Sequence, residues 1–222
     1  MEDEIRGQGC IPATVAILDK KVQIGLSETQ LEHIATSKLA VKASSMDISY
    51  ILTKGLIGGT TVSATMVAAE MAGIRLFATG GIGGVHRGVA ETWDISRDLR
   101  QLGNTAVAVV CSGVKSILDI EKSLEFLETE GVPVLTFGSD SAFPGFFLPD
   151  SGCKSPFATE DPSYVADLLS VIDEMGKHKT GTLIACPNPD ANPSFTSIIN
   201  DAITRAQMEA KYVQAERARR NV

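Results

Sequence analysis

Lys115 stands four residues beyond the continuous apolar run Thr105 to Cys111, after the break Ser112-Gly113. The carboxyl end of such a strand is where α/β folds place their ligands. A lysine held in a crevice there loses solvation, which favours the neutral amine, and a neutral amine can form a Schiff base with a carbonyl carbon. The alternative, a solvent-facing lysine at a strand tip, stays open. Asp94 and Asp98 flank Ser96, and one helical turn would set both carboxylates on one face. Hard divalent cations take oxygen ligands and keep several waters, so a single carboxylate can anchor one. Acids near a helix start are also simply favoured by the dipole, although Trp93 and Ile95 predict a partly buried Asp94. His86, beside Arg87, is a ligand, a base or a structural residue.

Two glycine clusters accompany these groups. Gly80, Gly81, Gly83, Gly84 and Gly88 match neither the dinucleotide fingerprint nor the P-loop. They either bring backbone N–H groups close to an anion or satisfy a loop that needs positive φ. Gly58-Gly59-Thr60-Thr61 reads as a flexible polar turn ahead of a helix N-terminus, a second candidate anion site. Lys42, at the end of the short apolar run Leu39 to Val41, could meet a phosphate as a point charge.

The elements that must position these residues alternate. Pro12 to Leu18 and Val22 to Gly25 read as strands joined by a turn at Asp19-Lys20-Lys21. Ser27 and Gln30 have capping-box spacing before a helix with Leu31, Ile34 and Ala35 on its apolar stripe. Met46 to Leu52 predicts a helix ending near Gly55, and Val62 to Met71 one that is apolar nearly all round, hence buried, and stopped by Gly73. Ile74 to Ala78, Thr105 to Cys111, Val132 to Thr136 and Gly181 to Cys186 predict strands, the second of them covered on both faces. Helices are expected over Leu118 to Leu127 and Val165 to Met175. A Gly/Pro/Phe-rich loop fills Gly138 to Pro156, and Pro187, Pro189 and Pro193 lead into a last helix from about Ser194. This is an α/β pattern: a mixed, largely parallel sheet with helices on both faces.

A formal net charge of −7 over 222 residues excludes a general basic footprint, so neither nucleic acid nor an anionic membrane is the expected partner. No apolar run approaches the roughly 20 residues needed to span a bilayer. Cys10, Cys111, Cys153 and Cys186 have no zinc or redox spacing and are expected as buried free thiols. The acidic start MEDEIRGQG is not a targeting segment of the usual kinds, which makes the cytosol the expected compartment.

Several long motifs then occur in one order: PATVAILDKKVQIGL, KGLIGGTTVSATM, FATGGIGGVHRG, Asp94 to Leu99, VVCSGVKSILD and FLETEGVPV. From about Pro12 to about Ala206 the chain closely resembles the pseudouridine-5′-phosphate glycosidase, or indigoidine synthase A-like, family. The resemblance implies reversible cleavage of the C-glycosidic bond of pseudouridine 5′-phosphate to uracil and ribose 5-phosphate, through an imine between ribose C1′ and a lysine. Lys115 matches that lysine. Asp94 matches the aspartate that holds manganese, and Lys42, Val62, Ser96, Arg97 and Asp98 match substrate-binding positions. Arg97 replaces a commoner small residue, which is tolerable if its backbone does the binding. A homotrimer with one divalent cation per subunit and a small-molecule nucleotide substrate is implied.

The family pattern also includes an upstream segment with a glutamate that protonates uracil and a downstream segment with an active-site asparagine. Nothing before Pro12 or in the divergent terminal helix 207–222 resembles them. The expectation is therefore a single, partial domain over 1–222. It is either an active glycosidase or a truncated, catalytically impaired member serving as a ligand-binding or assembly subunit.

Overall fold

Two sheets, rather than one, share the strands of the computed structural model, which describes residues 1–175, 179–189, 194 and 196–220. After a short helix α1 (Glu2–Gly7), strands β1 (Val15–Leu18) and β2 (Lys21–Ile24) form an antiparallel hairpin. Its tip residues Asp19 and Lys20 both have positive φ, 52° and 59°. That is the hairpin geometry whose twist matches the strands. Helix α2 (Glu28–Thr36) follows with the expected capping box, Ser27 and Gln30 satisfying each other's backbone N–H. Strand β3 (Val41–Ala43) places Lys42 in mid-strand and exposed, not at a strand end as expected. Helix α3 (Ile48–Lys54) stops at Gly55, φ 67°.

Residues 58–61, expected as a flexible turn, include a strand. β4 (Gly58–Thr60) lies between β1 and β3, completing the order β2-β1-β4-β3. The glycines mislead because their role is close packing. A Cβ on Gly58 would lie 3.2 Å from Ile17 Cβ and 3.3 Å from Ala43 Cβ, so only glycine fits there without displacing core. From β4 the chain enters α4 (Val62–Met71) directly; it is buried at Val62 through Met66, Ala68 and Ala69, as its all-round apolar pattern predicts.

The second sheet is all parallel. β5 (Leu76–Ala78), β6 (Ala108–Cys111), β7 (Val134–Phe137), β8 (Phe157–Thr159) and β9 (Thr182–Ala185) lie in the order β5-β6-β9-β7-β8. Side-chain alternation gives each face its own core. Val109, Cys111, Val134, Leu183 and Ala185 meet α4, α6 (Arg97–Leu102) and α7 (Ile120–Thr129), with a four-residue α5 (Val89–Thr92) nearby. Ala108, Leu135 and Ile184 meet Val165, Leu168 and Leu169 of α8 (Pro162–Glu174) on the other face. β8 was not foreseen, since it is three residues long and opens on an exposed Phe157. The last helix, α9 (Thr196–Arg220), starts close to the expected Ser194. Pro193 and the final two residues of 207–222 lie outside the described residues.

The α/β class with helices on both faces therefore holds, with the mixed pairing confined to the first sheet. The cysteines only partly follow expectation. All four are free, but Cys10 is exposed, and Cys153 and Cys186 are partly buried. Cys111 is the fully buried one, and burial pushes its thiol up to about 12, which keeps it protonated and inert at neutral pH.

Candidate active site

Past Ala78 and Cys111 the parallel pair β5–β6 stops being regular but does not separate. Thr79 donates to Val110 O (2.9 Å), Ser112 to Gly80 O (2.8 Å), Ile82 to Gly113 O (3.1 Å) and Lys115 to Ile82 O (3.2 Å). The glycine run is thus zipped, residue by residue, to the segment that carries Lys115. Its glycines are there for close approach. A Cβ would lie 2.5 Å from the Phe146 ring at Gly81, 2.1 Å from Ser96 Oγ at Gly83 and 2.4 Å from Ser123 Oγ at Gly84. Of the five, Gly88 alone has positive φ. The expectation of a positive-φ loop is corrected accordingly, and the anion-nest reading loses the Gly83 and Val85 amides to Asp98 and Ser123.

Asp94 and Asp98 do not share a helix face. Trp93, with φ 54°, ends α5 in a left-handed turn, and Asp94 lies in the connection before α6. Here the expectation of a partly buried Asp94 is also corrected: the Trp93 side chain is 80% exposed and that of Asp94 61%. His86 comes to it from the other arm of the loop. The His86 amide donates to Asp94 O (3.0 Å), and His86 Nδ1 is 3.5 Å from Asp94 Oδ2. The bridges Val85–Ile95 and Val85–Asp119 hold this arm in place. Among the described residues no three His, Cys, Asp or Glu side chains gather as a metal cage. One open carboxylate beside an imidazole suits a hydrated hard cation that keeps most of its waters, and not a dehydrated, fully protein-ligated one.

Asp98 is the opposite case. It is 5% exposed, and each carboxylate oxygen accepts a backbone N–H, Oδ1 from Ser63 and Oδ2 from Gly83, both at 2.9 Å. Ser96 caps α6 by accepting from the Asp98 amide. Arg97 is exposed and donates through Nε to Ser45 Oγ, while the Ser45 amide donates to Ser63 Oγ. Asp98, Ser96, Arg97 and the Val62 end of α4 thereby form one connected set with Ser45, in the turn that follows β3 and its Lys42. Ser45, Ser63 and Ser123 were not foreseen. A signal existed for Ser63, a hydroxyl inside a largely apolar buried helix, which has to find a partner.

Lys115 lies across Ile82 from this set, and its side chain is exposed. The crevice expected to strip its solvation is open in this chain. A separate cavity of about 540 Å³ is bounded by Arg87, Ser116, Asp119, Ser151 and Asn200, among others, and none of Lys42, Val62, Asp94, Ser96, Arg97, Asp98 or Lys115 lines it. Arg87 is pinned there, donating to Leu118 O and Ser116 O.

A lysine after a parallel strand, a zipped glycine run and a buried aspartate joining two sheets narrow the kinship, and comparison with known proteins decides it. The model of the family described as indigoidine synthase A-like protein matches residues 1–220. The chain belongs to the indigoidine synthase A-like family. Among its members, the chain is similar to a pseudouridine-5′-phosphate glycosidase of Caldanaerobacter subterraneus subsp. tengcongensis, at 48% identity over 95% of this chain and 68% of that protein. It is similar also to pseudouridine-5′-phosphate glycosidase 2 of Rhizobium johnstonii, at 47% over 95% of this chain and 67% of that one. A solved structural neighbour is the prealnumycin C-glycosynthase AlnA in complex with ribulose 5-phosphate. It superposes with a TM-score of 0.88 at 34% identity, covering 96% of this chain and 70% of that one. The chain thus spans about two thirds of the length of these curated relatives.

Proposed function

We propose that this chain catalyses the reversible cleavage of the C-glycosidic bond of pseudouridine 5′-phosphate to uracil and ribose 5-phosphate. The observation that carries the reading is the 48% identity, over 95% of the chain, with a relative of that name. A neighbour of the same fold that makes C-glycosides and holds a pentulose phosphate supports the same substrate class.

A carbon leaving group is too poor for paired-carboxylate hydrolysis of the ordinary kind, so the bond must be broken through an electron sink on the sugar. Lys115, which matches the family's lysine, is the group assigned to make one. In the condensing direction its amine nitrogen adds to the C1′ aldehyde of open-chain ribose 5-phosphate and water leaves, giving an iminium. The iminium accepts the electron pair of uracil C5, C5 gives up its proton, and O4′ displaces the lysine as the ring closes. Cleavage is the reverse and consumes one water. Lys42 binds the phosphate end as a point charge, with Val62 at the start of α4 beside it. Ser96 and Arg97 bound the ribose.

Asp94 would hold the manganese ion, with His86 beside it; when bound, the cation supplies positive charge to substrate oxygens and keeps its own waters. Replacing Asp94 by asparagine is expected to weaken Mn²⁺ binding by at least about 10–100-fold, the loss caused by removing even an outer-shell partner of a metal ligand. Calorimetric titration with Mn²⁺ alone checks this, and unchanged affinity moves the metal elsewhere. Homotrimer formation and a cytosolic location belong to the same reading. Exposed apolar side chains such as Leu39, Tyr50 and Trp93 support self-association, and among the described residues no helix is long and apolar enough to cross a membrane.

The purified chain, given pseudouridine 5′-phosphate and Mn²⁺, is expected to release uracil and, given both products, to reform the nucleotide. Chromatography of the base follows both directions. No release at micromolar enzyme would overturn the proposal and favour a subunit that binds the ligand without turning it over.

A further inference from the structure

We propose that Asp98 is a positioning residue that fixes the two halves of the site to each other, rather than a group that touches substrate. The two lysines named above rise from different sheets. Lys42 and the chain that leads into α4 belong to the first: β3 and β4 pair in parallel with Lys42 opposite Gly59, and β4 runs into Val62 through Thr61. Lys115 belongs to the second, as it follows β6 and is hydrogen-bonded to Ile82 in the glycine run. Substrate spanning phosphate site and imine site must therefore span the two sheets. The Asp98 carboxylate joins them with one oxygen on the amide of Ser63, the second residue of α4, and the other on the amide of Gly83, next to Ile82.

Three features favour this role over a direct contact. The carboxylate is buried and its oxygens are both engaged by backbone. Such charge-assisted bonds are short and strong, and a buried carboxylate keeps its charge only when so paired. Gly83 has no room for a side chain: a Cβ would lie 2.8 Å from Asp98 Oδ2, so glycine there is what lets the amide reach the carboxylate. The link is also reinforced from the side. Ser63 Oγ accepts from the Ser45 amide and Arg97 Nε donates to Ser45 Oγ, so the turn three residues past Lys42 is tied to the same point. Relative placement of reacting groups is a kcat property, because misplacement by about 1 Å can cost about 10²-fold while leaving binding contacts in place.

The turnover part of this inference rests on the proposed glycosidase reaction; the structural part does not, and the test separates them. Asp98→Ala and Asp98→Ser are compared with the parent chain in two measurements. Amide hydrogen exchange, read without substrate, is expected to speed up at both Ser63 and Gly83 by at least about tenfold, the loss of a hydrogen bond worth at least 1.4 kcal/mol, while amides of β6 keep their rates. Acceleration at one site or neither overturns the bridge, whatever the enzyme does. In uracil release, kcat per active site is expected to fall by about 10–100-fold with KM within about threefold. Active sites are counted as the fraction of chains in which borohydride fixes ribose 5-phosphate to Lys115, so loss of folded protein does not mimic the effect. A raised KM with kcat per site unchanged makes Asp98 a substrate ligand and overturns the role. If the parent chain neither releases uracil nor forms the adduct, the proposed reaction fails and the exchange result alone decides the bridge. If one variant is insoluble, the other supplies the measurement.

Discussion

Lys115→Ala eliminates uracil release while leaving the fold intact. The chemical half of that expectation follows from the role of the amine. Without it no iminium forms at C1′, the electron pair of the breaking C–C bond has nowhere to go, and a neighbouring acid or cation cannot substitute. Removing a covalent nucleophile from a serine protease costs roughly 10⁶-fold, and a loss of at least about 10³-fold is expected here. The structural half follows from exposure. The Lys115 side chain lies at the surface, and the zip to Ile82 is made by its backbone N–H, which alanine retains. Substitutions of that kind change stability by about 0.5 kcal/mol or less. Single-turnover uracil release, borohydride trapping with ribose 5-phosphate and thermal unfolding check the three parts together. An unchanged melting temperature with no adduct and no turnover is the expected pattern. Retained turnover assigns the imine to another amine, and Lys42 is the first to test, since it too stands exposed on the strand that leads to the phosphate end.

The elements around this lysine were legible because their signals are local. The Ser27 capping box, the turn at Asp19-Lys20, the buried helix Val62–Met71 and the apolar run before Cys111 each depend on residues within one or two turns of chain. What was not legible depends on contacts made across the fold. Gly58 reads as a turn former and is in fact the thin place at which β4 fits between Ile17 and Ala43. Asp94 and Asp98 look like a pair at helical spacing. The left-handed Trp93 ends α5 just before Asp94 and α6 starts only at Arg97, so one carboxylate goes to solvent and the other into the core. Lys115 sits where its strand predicts, but its exposure is set by what packs over it, and no local pattern encodes that. The division of the strands into two sheets has the same cause, since β4 and β5 flank α4 in sequence and pair with different partners. Two of the polar groups that join the sheets, Ser63 and Asp98, carry no signature beyond being hydrophilic in apolar company.

Gly113→Ala is expected to be the most destabilising single substitution among the glycines around the site, and the reason is geometric. Gly113 has φ 91°, a backbone conformation that costs an alanine roughly 1–2 kcal/mol. Its Cβ would also lie 2.0 Å from Pro144 O and 2.8 Å from Pro144 C, a collision with backbone that no rotamer change relieves. Overpacking adds about 1–3 kcal/mol, and more where the neighbour cannot yield. Pro144 is poorly placed to yield. Gly113 bridges Gly145, Phe146 donates to Ser112 O, and Phe143 beside it is fully buried. The sum, about 2–5 kcal/mol, is a large share of the roughly 5–15 kcal/mol by which domains are stable, and at this chain length it lowers Tm by about 4–20 °C. Gly131→Ala separates the two contributions: Gly131 has φ 70° and nothing within 4 Å of a Cβ, so it loses only the backbone part. Equal Tm shifts for the two variants would show that the Pro144 contact is not limiting. A much larger shift at Gly113 supports it, and the chemistry should then suffer as well. Gly113 O accepts from Ile82, whose own carbonyl holds Lys115. Moving Gly113 therefore disturbs the placement of Lys115, the proposed imine former, against the glycine run that Asp98 holds.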